Sequence, residues 1–494
     1  MPTITSVRAV QRILAHARIT GARARLGGKW RAASALSVLA LSSALSGCIL
    51  GSERPELNLD MSDAYRAAPK GDADAAVPVL DWWRGFRSGE LTALMEAAQI
   101  YNLDIAVAIA QIVQADAQVG VSGAPLLPSV SGNASAEALR TAGKDTQLYN
   151  VNLSASYMLD FWGKNRALLY AAEENATVAR YNREVVILTT IVTVANTYFQ
   201  ILAAQDELRV TRQNLAAAER ILGLVRNQFN GGTASQLDLS QQESLVATQR
   251  AAIPPLEVAL GQNIAALAVL VARAPANFTV HGGSTKQIIV PRVTPGLPSE
   301  LLYQRPDIRQ AEAQLASSNF SVEAARAAFF PQISLTGTTG FQSAALASLF
   351  TPGAWFYTAA ASLTQPIFDG FLLESQLKQA KGVQLQNLQV YRKAVLSAFA
   401  DVEKALLALQ QFTLQERLQN DVVIASRKAF DVAETQLRGG TINLITVLQT
   451  QQTLFTAENN LVLVRLNKLL AASSLFQALG GGWTPSGTLV SLQQ

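Results

Sequence analysis

FNGGTASQLDLSQ, Phe229 to Gln241, and LRGGTINLITVLQ, Leu437 to Gln449, are two versions of one segment set 208 positions apart. Each follows a long run without proline. From Lys164 to Asn230 glycine occurs only at Gly223, so a single helix is expected there, approaching about 100 Å at about 1.5 Å per residue. Soluble helices seldom run so far without a coiled-coil partner. Leu208, Thr211, Leu215, Ala218, Leu222, Val225 and Phe229 keep a 3-4-3-4 spacing, and Val423, Ser426, Phe430, Ala433 and Leu437 repeat it. Both seams stop at a Gly-Gly pair, Gly231-Gly232 and Gly439-Gly440, and a glycine after the last turn supplies the left-handed residue that ends a helix. Thr233 with Gln236 reads as a capping box for the next helix, and Asn443 as the cap of its counterpart. Each motif is therefore the tip of a helical hairpin. The first return helix should bend or break at Pro254-Pro255.

The duplication extends beyond the tips. NLDIAVAIAQIVQADAQVGVSGAPLLPSVS from Asn102 lines up with PDIRQAEAQLASSNFSVEAARAAFFPQIS from Pro306, placing Asp104 on Asp307, Gln111 on Gln314 and Pro128 on Pro331, each 203 apart. One unit of about 200 residues is thus written twice. The expected organisation is an N-terminal segment over 48–101, a first repeat over 102–274, a Pro- and Gly-rich connector over 275–304, a second repeat over 305–480 and a tail over 481–494. Within the repeats, strands are expected near 129–160 and 331–367, and helical hairpins near 164–273 and 370–480.

The strand signal is period two. Tyr149, Val151, Leu153, Ala155 and Tyr157 alternate with Asn150, Asn152, Ser154 and Ser156, and Trp355, Tyr357, Ala359, Ala361 and Leu363 alternate with Phe356, Thr358, Ala360, Ser362 and Thr364. Stretches from Val130 and from Ile333 behave alike. A hairpin on a soluble core would also alternate, but here the polar faces are almost uncharged and the outward aromatics lie near the strand ends, as in a membrane barrel with a wet lumen. Four strands cannot close a barrel, for which about eight is the usual minimum, so the missing strands must come from other copies. Val185 to Ala204 is uncharged and long enough to span a bilayer, yet Thr189, Thr193, Asn196, Thr197 and Gln200 fall at helical spacing on one face, which argues for an amphipathic helix in an assembly.

The N-terminus reads as an export signal. Seven basic residues and no acidic one precede Cys48, and Ala32 to Leu45 is an uncharged apolar run too short to cross a membrane. Leu-Ser-Gly-Cys at 45–48 resembles the bacterial lipoprotein signal, in which the cysteine becomes the first mature residue and carries lipid; Cys48 left beside a signal cleaved a few residues on is the other reading. Removing 1–47 leaves 33 basic against 36 acidic residues, so the overall charge of +4 belongs to the signal, and nucleic acid is not implied. Beyond the signal the only histidine is His281, in a loop-like stretch, and Cys48 is the only cysteine. Imidazole or thiolate metal sites need several such ligands, and Ser-His or Cys-His catalysis needs a base beside its nucleophile, so neither an enzyme nor a cofactor is expected.

Strand pairs set between long hairpins in a duplicated lipoprotein resemble the TolC-type outer-membrane efflux proteins, in particular the lipoprotein branch working with proton-driven multidrug pumps of the RND type. The resembling stretches are WWRGF at Trp82 to Phe86, SELLYQRPDIRQAEAQL from Ser299, ARAAFFPQISL from Ala325, QPIFDG from Gln365 and the two Gly-Gly-Thr tips, in the family's order. The resemblance implies a mainly α fold with a membrane β-barrel contribution: a homotrimer in which twelve strands form a barrel in the outer membrane and twelve helical strands a periplasmic tunnel, with an equatorial collar around it. It implies passive exit of drugs or other small molecules, received through a periplasmic membrane-fusion adaptor from an inner-membrane transporter, with the adaptor docking at Gly231, Gly232, Thr233, Gly439, Gly440 and Thr441. In the drug-efflux branch a leucine and, four residues on, an aspartate narrow the tunnel; these positions match Ile445 and Gln449, so the hydrophobic constriction is retained and the charged ring is lost, while Asp238 is a candidate for a negative ring nearby, or a solvated wall residue. Type I protein secretion and metal efflux use the same architecture. A lipid-anchored periplasmic coiled-coil scaffold would explain the hairpins but not the alternating stretches.

Overall fold

A computed structural model describes residues 65–66, 80–292, 301–481 and 483. The expected signal, Cys48, most of the N-terminal segment, part of the connector and nearly all of the tail lie outside the described residues.

A helical turn at Trp82–Phe86 is followed by two helices, α1 (Gly89–Tyr101) and α2 (Leu103–Gly123). Strands β1 (Ser129–Thr141) and β2 (Lys144–Leu159) follow, then α3 (Lys164–Asn230), 67 residues long as the proline-free run requires. The return limb is α4 (Gln236–Ala251) and α5 (Ile253–Leu270). Pro254 and Pro255 sit in the first turn of α5, where a missing N–H costs least, and the break falls just before them at Ala252. After the connector and a single turn, α6 (Leu301–Gln304), the plan repeats as α7 (Pro306–Ala327), β3 (Gln332–Ser343), β4 (Trp355–Thr364), α8 (Leu372–Arg438), again 67 residues, and α9 (Leu444–Ala478).

The two long helices are the struts of the chain. The first half of α3 packs between α2 and α7, its second half between α4–α5 and α9, while α8 packs on α7 and then on α9. Where the two levels meet, the Trp82–Phe86 turn wedges into the largest core cluster: Trp82 stacks on Phe476 at 4.6 Å and Phe86 packs on Phe199 at 5.1 Å between ring centres. The Val185–Ala204 stretch of α3 belongs to this core. It is apolar and long enough for a membrane, yet Ile191, Val194, Phe199 and Leu202 are buried in protein while, of the expected polar stripe, Thr189, Thr193 and Gln200 stay exposed, Asn196 is half-buried and Thr197 is buried. The connector is clasped there too: Glu90 accepts the N–H groups of His281 and Gly282 at 2.8 and 2.9 Å, and Asp206 that of Thr285 at 2.9 Å. His281 itself is exposed.

Each repeat is closed where its hairpin returns. Asn102 caps α2 by accepting the N–H groups of Asp104 and Ile105, and its amide donates to the carbonyl of Leu270 at the end of α5 at 2.8 Å. At the position 203 residues on, Arg305 donates to the carbonyl of Ala478 at the end of α9 at 3.1 Å and holds Asp307 through two parallel bonds of 3.0 and 2.7 Å.

Candidate functional site

The strands form one antiparallel sheet in the order β1-β2-β3-β4, with the outer edges of β1 and β4 unpaired. Registers place Ser131, Ser154, Thr338 and Thr358 side by side on one face, and the next row towards the β1–β2 turn is Asn133, Asn152, Gly340 and Phe356. Neighbours on this face bond one another: the Asn133 amide donates to Asn152 at 3.4 Å, Asn152 to Asn150 at 2.6 Å, and the hydroxyls of Ser334 and Ser362 lie 2.6 Å apart. The opposite face is apolar, with Ala134, Val151, Phe341 and Trp355 in one row and Tyr149 and Tyr357 close by. Near the other end of the strands lie Tyr157, Leu363 and the stacked pair Trp162 and Phe330, their rings 4.7 Å apart. Both faces of β1 are exposed in the single chain. An apolar face with an aromatic margin, a neutral polar face and two open edges are what a segment of a lipid-facing barrel presents.

The tips fold as their glycines dictate. Gly232 and Gly440 have φ of 76° and 66°, while Gly231 and Gly439 end the helices with right-handed geometry. Thr233 N–H donates to Gln228 carbonyl at 2.9 Å and Thr441 N–H to Gln436 carbonyl at 3.0 Å, the six-to-one bond of the Schellman motif. The expected Thr233–Gln236 capping box is not formed. Thr233 spends its N–H and its hydroxyl on Gln228, so the cap passes two residues on to Ser235, whose hydroxyl accepts from Asp238 N–H while the Asp238 carboxylate accepts from Ser235 N–H. Asn443 caps α9 as expected, accepting from Thr446 N–H at 3.1 Å. The seam also shifts in part: Leu208, Thr211, Ala218 and Val225 are buried, but Asn214 and Ile221 take the deeper places while Leu215 and Leu222 are half-buried. In the second repeat Phe430, Ala433 and Leu437 are buried, Val423 and Ser426 half-buried.

Near the tips the hairpins are joined by an apolar cluster in which Ile221 and Val225 of α3 meet Phe430 and Leu437 of α8 and Leu444 and Val447 of α9. Ile445 and Gln449 lie one turn apart on the exposed side of α9, turned away from that cluster; Ile445 is 50% exposed. Asp238 is half-buried, on α4, and tied into its cap. Three features are not foreseen by the sequence patterns. Glu434 receives two bonds from Arg220 of the other hairpin, each 3.0 Å, and one from Arg438 at 2.6 Å. Those donors, Arg220 first, hold its carboxyl below the usual range against the opposing effect of burial. The i,i+4 pair Glu434 and Arg438 was visible in sequence, whereas Arg220 is 214 residues away. Above the cluster, Gln451 is fully buried with neither amide atom bonded among the described residues, and Gln242, also fully buried, gives its N–H to Ala218 carbonyl and leaves its oxygen unpaired. Further up, Glu416 lies between Arg465 and Lys468; burial raises its pKa, but the two cations outweigh that and lower it. Among the described residues no group of three or more His, Cys, Asp or Glu side chains gathers as a metal site.

Comparison with known proteins fits this geometry. The family model described as outer membrane efflux protein matches residues 94–273 and 297–481, one stretch over each repeat. The chain is 36% identical over 461 residues to the pyoverdine export outer membrane protein OpmQ of Pseudomonas putida, covering 91% of this chain and 97% of that one. It is 31% identical to the toluene efflux pump outer membrane protein TtgC of the same species, covering 91% and 96%. The open-state MtrE outer membrane channel of Neisseria gonorrhoeae superposes with a TM-score of 0.77 at 28% identity, covering 87% of this chain and 97% of that one. With both repeats matched and relatives aligned over nearly their full length, the chain belongs to the outer membrane efflux protein family.

Proposed function

We propose that three copies of this chain assemble into the outer-membrane exit duct of a tripartite efflux system. The observation that carries this reading is the four-stranded sheet with two open edges. Pairing β4 of one copy with β1 of the next removes every edge, satisfies the exposed backbone groups and closes twelve strands, with the apolar face towards lipid. The helices support the same arrangement, since α2 exposes Leu103, Val107 and Val113 and α8 exposes Leu385, Leu396 and Leu407 on the flanks that neighbouring copies would cover. Below the barrel, α3 and α8 would line a tunnel about 100 Å long, and the Gly-Gly-Thr tips would present its periplasmic end to an adaptor fed by an inner-membrane pump of the RND type. The duct is passive and non-catalytic, and its cargo is a drug or another small molecule, by analogy with toluene efflux and pyoverdine export in the relatives. Cys48 carries the lipid that adds an outer-membrane anchor to the barrel's own insertion.

The first test is the mass of the purified mature protein in detergent together with its single-channel conductance in a planar bilayer. A trimer with small, rarely opening conductance is expected; a non-conducting monomer in a well-folded preparation overturns the reading. Ile445 then forms the periplasmic constriction with Gln449 beside it. Ile445→Ser should open the resting channel more often, and an unchanged resting conductance removes Ile445 from that role.

A further inference from the structure

The polar face of the sheet holds no ionisable side chain from the Ser129–Ser156 row to the row of Ser135, Asn150 and Gln342, on any of its four strands. Glu137 and Lys144 are the first on that face, out towards the β1–β2 turn. Three-fold repetition would turn a single Asp or Lys here into a ring of three like charges, and such rings are how pores select ions by sign. The wall instead offers hydroxyls and amides, which donate and accept equally, and several already bond one another. Hydrophilicity is thus supplied without a field.

We infer that the barrel wall between the Ser129 and Ser135 rows is charge-indifferent, passing anionic, cationic and zwitterionic hydrophilic cargo alike, so that selection by sign belongs to the helical tunnel, to the pump or to the outer rim at Glu137 and Lys144. This rests on the reading of the polar face as the lumen of a trimeric barrel. Its consequence is that cargo of either sign meets no ring of like charge between the Ser129 and Ser135 rows, the first ionisable groups on that face being Glu137 and Lys144 at its outer end.

Thiol reagents of opposite charge test this. The only native cysteine is Cys48, so Thr338→Cys adds one new thiol and the parent protein serves as the blank. In the trimer, reaction with a methanethiosulfonate bearing a sulfonate is compared with one bearing a quaternary ammonium, both added from the external side and each normalised to a free thiol. The normalised rates should agree within about twofold, and Ser154→Asp in the same background should favour the cation by about tenfold. A tenfold bias without the added aspartate overturns the inference while leaving the duct intact. No reaction with either reagent in a conducting trimer, together with reaction at Ala359→Cys on the opposite face, overturns the lumen assignment beneath it. Ser154→Cys gives the same comparison if Thr338→Cys does not assemble.

Discussion

The two repeats fold alike at their tips and differently where they close. Gly232 and Gly440 occupy the same left-handed region, and Thr233 and Thr441 make the same backward bonds. At the other end Asn102 ties α2 to α5 with a neutral amide, whereas Arg305 ties α7 to α9 with a charge shared between Asp307, Asp401 and the carbonyl of Ala478. The return limbs differ as well, broken at Ala252 in the first repeat and continuous for 35 residues in the second. A helix end admits few solutions, because its carbonyls must be satisfied within one turn. A contact between helix ends admits many, since any donor of the right reach will serve. The duplication has kept the first kind of feature and let the second diverge.

The closures should separate most under mutation. Arg305→Ala leaves two carboxylates facing a buried carbonyl and is expected to cost about 2–4 kcal/mol, against about 2 kcal/mol for Asn102→Ala, which loses a cap and one bond. Thermal unfolding followed by circular dichroism ranks them, and equal losses would mean that the guanidinium adds nothing over the amide. Gln451→Leu should do the reverse, stabilising by about 1–2 kcal/mol because the buried amide has no partner among the described residues to lose, and slowing channel opening if the polar layer is what loosens the hairpin junction. A fall in melting temperature would point to a bonded water at that amide. The tips should not separate: Gly232→Ala and Gly440→Ala are each expected to cost about 1 kcal/mol, and a large difference would break the equivalence of the two turns.

The smallest effect is pH-dependent. Glu434 titrates below the usual carboxylate range because Arg220 and Arg438 bind its charged form, so the link between the hairpins is complete above that range and is lost as pH falls through the lowered value. Glu434→Gln should therefore reduce stability near neutrality and flatten the acid limb of the stability curve. An unchanged acid limb would show that the link carries little free energy.

Local rules made much of this legible in the sequence. The bounds of α3, the break before Pro254, the four strands and the cap at Asn443 follow from proline exclusion, periodicity and side-chain reach, which act over a few residues. The misplaced capping box is instructive on the same scale: Thr233 and Ser235 were both competent, and the Schellman bond to Gln228 settled which was free. The seam was readable as a rhythm but not as a set of contacts, because Asn214 and Ile221 are turned inward by two partner helices rather than one.

The sequence by itself determined the duplication, the long helices, the tips, the alternating strands and the family to which they point, since each rests on spacing along the chain. Only the tertiary structure decided that β2 pairs with β3 across some 180 residues, that Arg220 reaches Glu434, and that Gln451 is buried without a partner among the described residues. Those depend on which surfaces meet when two hairpins and a sheet pack together, and nothing in the local pattern of either partner encodes the other's position.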